Sequence, residues 1–136
     1  MNYYIATSFQ NKEAHARCRR YFSDLGHELT FDWTLYPYIP DPYVMYTVAM
    51  KEIDAVKAAD FVVVILPGGR GTHCELGAAL AHDKPVFIIA PHPQQLLDLQ
   101  GLPAPFYYHA SVTVVSRIEN IYPKLEEVFH GKKRPN

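Results

Sequence analysis

Glu75 is the residue in this sequence best placed to do chemistry. It closes the run Pro67-Gly68-Gly69-Arg70-Gly71-Thr72-His73-Cys74-Glu75, which continues as Leu76-Gly77. The apolar stretch Phe61–Leu66 precedes this run, and the helix-forming Ala78-Ala79-Leu80-Ala81 follows it. A strand, a glycine-rich turn and a helix in succession aim backbone N–H groups and a helix N-terminus at a ligand, and anions bind readily there. A lone carboxylate in such a turn points to chemistry on a phosphorylated or sugar-bearing substrate. Gly68, Gly69 and Gly71 let that substrate approach the backbone closely. Thr72-His73-Cys74-Glu75 also reads as a capping box, in which Thr72 caps the helix and Glu75 reaches back to the N-cap amide. The residues alone leave both readings of Glu75 open.

Glycosyl-transfer chemistry commonly uses two carboxylates, and the segment Tyr43–Ala59 offers Glu52 and Asp54. Met45, Ala49, Val56 and Ala59 recur at helical spacing, and Glu52 falls within their stripe, whereas Asp54 shares the wetter face with Lys51 and Ala58. An acid that interrupts an apolar face needs a partner, a raised pKa or a task. Glu52 is the better second acid on this ground; the bland alternative is an acid at the stripe's edge that reaches out to water.

Other side chains surround these two in the sequence pattern. Arg70 has the planar fork that pairs with phosphate, or it is an exposed loop arginine. Thr7, Ser8 and Phe9, where the first strand gives way to the next helix, are substrate-binding candidates; Ser8 and Asn11 stand where they could bind hydroxyls or phosphate, and Asn11 reads more readily as the N-cap. Trp33 and Tyr36 follow the second strand and offer flat faces for a base, or pack as ordinary loop aromatics. Lys12 and His73 join Arg70 as candidates for a 5′-phosphate. Cys74 at a helix start is a weaker nucleophile candidate, since its neighbour His73 points elsewhere on a helix. The turn lacks the Lys-Ser/Thr ending of a triphosphate loop, and the histidines lack metal-ligand spacing. No metal and no cofactor is expected.

The elements that must position these groups follow from pattern. Tyr3–Ser8, His27–Trp33, Phe61–Leu66, Pro85–Ala90 and Ser111–Val115 read as strands. Asn11–Leu25, Tyr43–Ala59, Thr72–His82 and Ile118–His130 read as helices. Leu35–Pro42 is a proline-rich loop, and Pro91–Pro105 an irregular connection with a short helix at Gln94–Leu99. Strands alternate with helices, and the central strands are apolar throughout, as in a parallel sheet covered on both faces. The expected fold is a single flavodoxin-like or Rossmann-like α/β domain over residues 1–130, with strand order 2-1-3-4-5 and a flexible tail at 131–136. Ligands sit at the carboxyl ends of such strands, where strand order reverses, and the glycine-rich turn leaves strand three at that point.

Size and composition agree. The chain has 136 residues, 49% hydrophobic and 20% charged, with a net charge of −1. One domain with a real core is expected. A nucleic-acid polymer or a membrane surface is not an expected partner. Two cysteines make no disulfide framework, and Met1-Asn2-Tyr3-Tyr4 lacks the pattern of a signal peptide. A cytoplasmic protein is expected.

Three segments carry a resemblance: Tyr4-Ile5-Ala6-Thr7-Ser8-Phe9, Ala58-Ala59-Asp60-Phe61-Val62-Val63-Val64, and Gly71-Thr72-His73-Cys74-Glu75-Leu76-Gly77 followed by Lys84-Pro85-Val86. In their order and spacing the chain resembles the nucleoside 2-deoxyribosyltransferase family, which includes related nucleotide N-glycoside hydrolases. The resemblance covers about residues 3–90. It implies that Glu75 is the nucleophile on the anomeric carbon and that Tyr4 orients it. The family's acid, eight residues before the start of the third strand, falls on Glu52 when counted back from Asp60. The resemblance further implies a nucleoside or nucleotide substrate, a free nucleobase as acceptor in the transferases, and a homodimer or larger homo-oligomer. Pro67–Glu75 also matches the Pro-Gly-Gly-x-Gly-Thr-x-x-Glu motif of the cytokinin-activating phosphoribohydrolases, which cleave the same kind of bond. A phosphoribohydrolase-type nucleotide hydrolase and a non-catalytic nucleotide sensor are the alternative readings.

Overall fold

The computed structural model describes residues 1–36 and 38–130; the tail expected at Gly131–Asn136 lies outside them. Five parallel strands form one sheet, in the order expected: β2 (Glu28–Leu29), β1 (Asn2–Ala6), β3 (Phe61–Ile65), β4 (Val86–Ile89), β5 (Val112–Val115). Four helices accompany it: α1 (Lys12–Asp24), α2 (Pro42–Ala58), α3 (Arg70–Ala81) and α4 (Ile121–His130).

Side chains alternate across a strand, and this divides the core in two. Tyr4 and Ala6 of β1 pack with Val62 and Val64 of β3 against Ala55 and Val56 of α2 and Leu76 and Ala79 of α3. Tyr3, Ile5, Phe61, Val63 and Ile65 pack on the other face against Cys18 and Phe22 of α1 and Ile121 and Leu125 of α4. All of β3 and β4 is buried, which is why both read as continuous apolar runs. Tyr4 therefore belongs to the face covered by α2 and α3.

Several boundaries differ from expectation, each for a local reason. The second strand shrinks from His27–Trp33 to two residues. Thr30 N–H still donates to the Tyr3 carbonyl at 2.9 Å, but the Asp32 side chain then accepts from Thr34 N–H and turns the chain into a 3-10 turn, Trp33–Leu35. Asn11 does not cap α1; a 3-10 turn at Phe9–Asn11 precedes the helix, and the Asn11 amide donates instead to Thr7 Oγ1 at 3.0 Å. α2 starts one residue early because Asp41 caps it, accepting from the amides of Tyr43 and Val44 at 2.9 and 3.1 Å, with Pro42 following. The buried side of α2 is also rotated from the expected stripe. Ala55, Val56 and Ala59 are buried and Glu52 half-buried, but Ala49 is exposed.

Between β4 and β5 the expected short helix at Gln94–Leu99 is a 3-10 turn at Pro93–Leu96, and a second one lies at Pro105–Tyr108. Tyr107 from the latter joins the core on the α2 and α3 face. The last expected helix divides into a 3-10 turn, Ile118–Asn120, and α4.

Candidate active site

The strand order reverses between β1 and β3, and their carboxyl ends open into a cavity of about 530 Å³. That volume lies within the range of about 300–1,000 Å³ usual for small-molecule sites. Thr7, Ser8, Phe9 and Gln10 after β1, Trp33 and Tyr38 after β2, Glu52 of α2, and Gly69, Arg70, Gly71, Thr72 and Glu75 line it.

The glycine-rich turn folds differently from the expected capping box. α3 begins at Arg70 rather than Thr72, with Gly69 as its N-cap. Thr72 occupies the third helical position, and its Oγ1 accepts from the Gly69 N–H at 3.0 Å. Thr72 is thus the residue that reaches back to the cap, the part that the sequence reading gave to Glu75. The cause of the shift is steric. A Cβ on Gly68 would stand 2.6 Å from Thr72 Cγ2, whereas a Cβ on Gly69 or Gly71 would meet nothing within 4 Å. Gly68 makes room for Thr72, while Gly69 and Gly71 leave the helix start open towards the cavity.

Released from capping, Glu75 sits in the second turn of α3 and is only 5% exposed. Tyr4, wholly buried on the facing strand, donates its hydroxyl hydrogen to Glu75 Oε2 at 2.7 Å. Burial pushes the Glu75 carboxyl up to about 10, the Glu52 carboxyl pushes in the same direction, and the Tyr4 hydrogen bond opposes both. Burial, with Glu75 and Glu52 adding to it, drives the Tyr4 phenol far above its ordinary value, so Tyr4 stays protonated and acts only as a donor. Two carboxyl groups and a fixed phenol thus meet at one end of the cavity. Such a group can hold one proton between two acids and aim one carboxylate oxygen at a reacting carbon.

The residues singled out from sequence divide as follows. Glu75, Glu52, Thr7, Ser8, Phe9, Trp33, Gly69, Arg70 and Gly71 all line the cavity. Tyr4 lies behind its wall, and Gly68 faces a neighbouring cavity with His73 and Tyr107. Asp54 is exposed on the far side of α2. The Thr7 hydroxyl is committed within the fold: it donates to the Ile65 carbonyl at 2.8 Å and accepts from Asn11, tying the ends of β1 and β3 together. His73 is turned from the cavity, with Nδ1 2.8 Å from the Gly69 carbonyl and Nε2 2.6 Å from the Tyr107 hydroxyl. Lys12 lies over the Phe9 ring, its Nζ 4.2 Å from the ring centre. Tyr36, expected to offer a face to a base, is not in the cavity lining and packs on Phe31; Tyr38 stands on the cavity wall in its place, with its ring 5.7 Å from Phe9. Gln10, Tyr38 and Thr72 are lining residues the sequence reading did not name as such. The tyrosine cluster at 36–46 was the signal for Tyr38; nothing local marked Gln10.

No protein-family model matches the sequence, and no curated protein matches it. Solved structures do match the fold. A 2-deoxyribosyltransferase from Bacillus psychrosaccharolyticus superposes with a TM-score of 0.68 at 20% identity, over 89% of this chain and 90% of its own. A CMP N-glycosidase from Clostridium botulinum gives a TM-score of 0.61 at 18% identity, over 93% and 99%. A conserved protein from Enterococcus faecalis V583 gives 0.58 at 17% identity, over 95% and 99%. The chain has the fold that these three proteins share, across nearly their whole length.

Proposed function

We propose that the protein cleaves the N-glycosidic bond of a nucleoside or nucleoside 5′-monophosphate, and passes the sugar to another base or to water. The observation that carries this reading is the pairing of a buried Glu75, hydrogen-bonded by Tyr4, with Glu52 in one cavity at the switch point of the sheet. Two of the structural neighbours are enzymes named for that bond or its transfer.

Glu75 attacks C1′ as a carboxylate, the C1′–N bond breaks, and its electron pair leaves with the base. The proton that Glu75 carries in the empty site passes to Glu52 as substrate binds, and Glu52 delivers it to the departing base. Tyr4 holds the attacking carboxylate in line by donating to Oε2. A second base or a water then attacks C1′, the C1′–O bond to Glu75 breaks, and Glu75 is regenerated. Arg70 and the open amides at the start of α3 face the same cavity and suit a 5′-phosphate. Trp33, Phe9 and Tyr38 supply flat faces for the base.

A homodimer or larger assembly belongs to this reading. It is supported by Tyr43, Tyr46 and Met50, which stand 78%, 63% and 49% exposed on α2. No helix among the described residues is long and apolar enough to cross a membrane, and we place the enzyme in the cytoplasm.

The test is base release from a panel of nucleosides and 5′-monophosphates, followed by chromatography with and without an acceptor base. Release that disappears in Glu75→Ala, with unchanged circular dichroism, supports the proposal. Turnover retained by that variant overturns it. Binding without release from any member of the panel would make the chain a sensor.

A further inference from the structure

Trp33 is the only tryptophan in the sequence; Ile5 and His15, which do not line the cavity, contact its ring, and Asp32 and Arg19 fix the turn that carries it. Its indole N–H donates to the Ile5 carbonyl at 2.9 Å, which anchors one edge of the ring to the end of β1. Asp32, the residue before it, caps the turn through Oδ1, which accepts from the Thr34 amide and hydroxyl. The other carboxylate oxygen, Oδ2, accepts from Arg19 NH1 of α1 at 2.9 Å. Arg19 and Asp32 are 35% and 17% exposed, so this pair is shielded compared with the other ion pairs among the described residues.

His15, one turn before Arg19, is wholly buried and meets Trp33 edge to face, with ring centres 5.1 Å apart at 78°. Arg19 NH1 lies 3.2 Å from His15 Nδ1. A guanidinium can only donate, so Nδ1 accepts and the neutral ring carries its hydrogen on Nε2. That Nε2 has no hydrogen-bond partner and stands 4.0 Å from Asp32 Oδ1. Burial pushes His15 down to about 4, with Asp32 and Arg19 acting against each other. An uncharged ring with an unsatisfied buried N–H is costly. Its place behind Trp33 gives it a packing role that a smaller apolar residue would leave empty.

We propose that Arg19, Asp32 and His15 are positioning residues that hold the Trp33 indole in the cavity wall as the stacking face for the substrate's base. The ion pair ties the turn carrying Trp33 to α1, and the His15 ring stops the indole from rotating back into the protein. The identity of the stacked group rests on the proposed function; the fixing of Trp33 does not.

The lone tryptophan makes this measurable without turnover. Asp32→Asn keeps an oxygen for the Thr34 amide but removes the charge, and Arg19→Met removes the other partner. Excited selectively, Trp33 should show red-shifted emission and lower anisotropy in both variants, with near wild-type values restored in Arg19→Lys. Base release, where the panel gives it, should show KM raised about tenfold, as for loss of one charge-assisted hydrogen bond, with kcat within about twofold. Should Asp32→Asn not fold, the partly exposed Arg19→Met and Arg19→Lys pair decides. Unchanged emission and anisotropy would overturn the proposal, as would a fall in kcat at constant KM. Failure of the panel to release any base would sink the proposed function and leave the fluorescence result standing.

Discussion

A carboxyl group kept 95% from water does not stay ionised cheaply, and Glu75 is in that position. Its environment favours the protonated form, while the proposed attack on C1′ needs the ionised one. Tyr4 is the contact that narrows this gap, because its hydrogen bond favours the carboxylate. Tyr4→Phe should therefore move the acidic limb of the kcat/KM profile to higher pH and lower kcat at neutral pH; a profile coincident with wild type would remove Tyr4 from the mechanism. Stability should carry the same signature. The folded-state pKa of Glu75 lies above its unfolded value, so between about pH 5 and pH 10 the unfolded chain releases a proton that the folded chain retains. Stability contributed by this group is complete below the unfolded pKa and declines as pH rises, by at most about 1.4 kcal/mol per pH unit. Glu75→Gln removes that decline. Its Tm should exceed wild type by a margin that widens from pH 5 to pH 9, read by thermal scans across pH. At this scale the sequence showed an acid in a glycine turn and a second acid on a helical stripe. It did not show the Tyr4 contact, except through family resemblance, because 71 residues separate the partners and only the strand alternation of β1 brings them to one face.

The element that decides the geometry is the start of α3. Thr72 needs the space above Gly68, and with Thr72 there Gly69 becomes the N-cap, the helix starts at Arg70 and Glu75 turns inward. Gly68→Ala should cost about 1–3 kcal/mol through overpacking against the Thr72 side chain. Gly69→Ala should cost less, up to about 1 kcal/mol for the poorer N-cap, since open space surrounds that Cβ. Urea unfolding of the two variants separates them. Thr72 and Glu75 illustrate the limit of local reading. Both fit a capping box by spacing, and only the crowding at Gly68 says which of the two reaches back. The short β2 has a similar origin. Its sequence is as strand-like as the observed pairing is brief, and the Asp32 cap ends it. α2 was legible in its length and in Glu52, but its register was off by part of a turn. Apolar residues surround this helix, with Tyr43, Tyr46 and Met50 left exposed, and a stripe cannot be fixed where every face carries apolar side chains.

For the whole molecule, strand order and layering followed from the apolar runs and their helical spacers, because a fully buried parallel sheet leaves few other arrangements. The same topology sets the cavity at the junction of β1 and β3, where side chains from three separate connections meet. The proposed mechanism stands or falls on Glu75 taking the sugar covalently. The decisive measurement is incubation with a 2′-fluoro nucleoside whose parent the protein is found to cleave, followed by denaturing mass spectrometry and peptide mapping. A fluorosugar adduct is expected on the peptide carrying Glu75, and none in Glu75→Gln. Base release without an adduct, or an adduct on another residue, would contradict it.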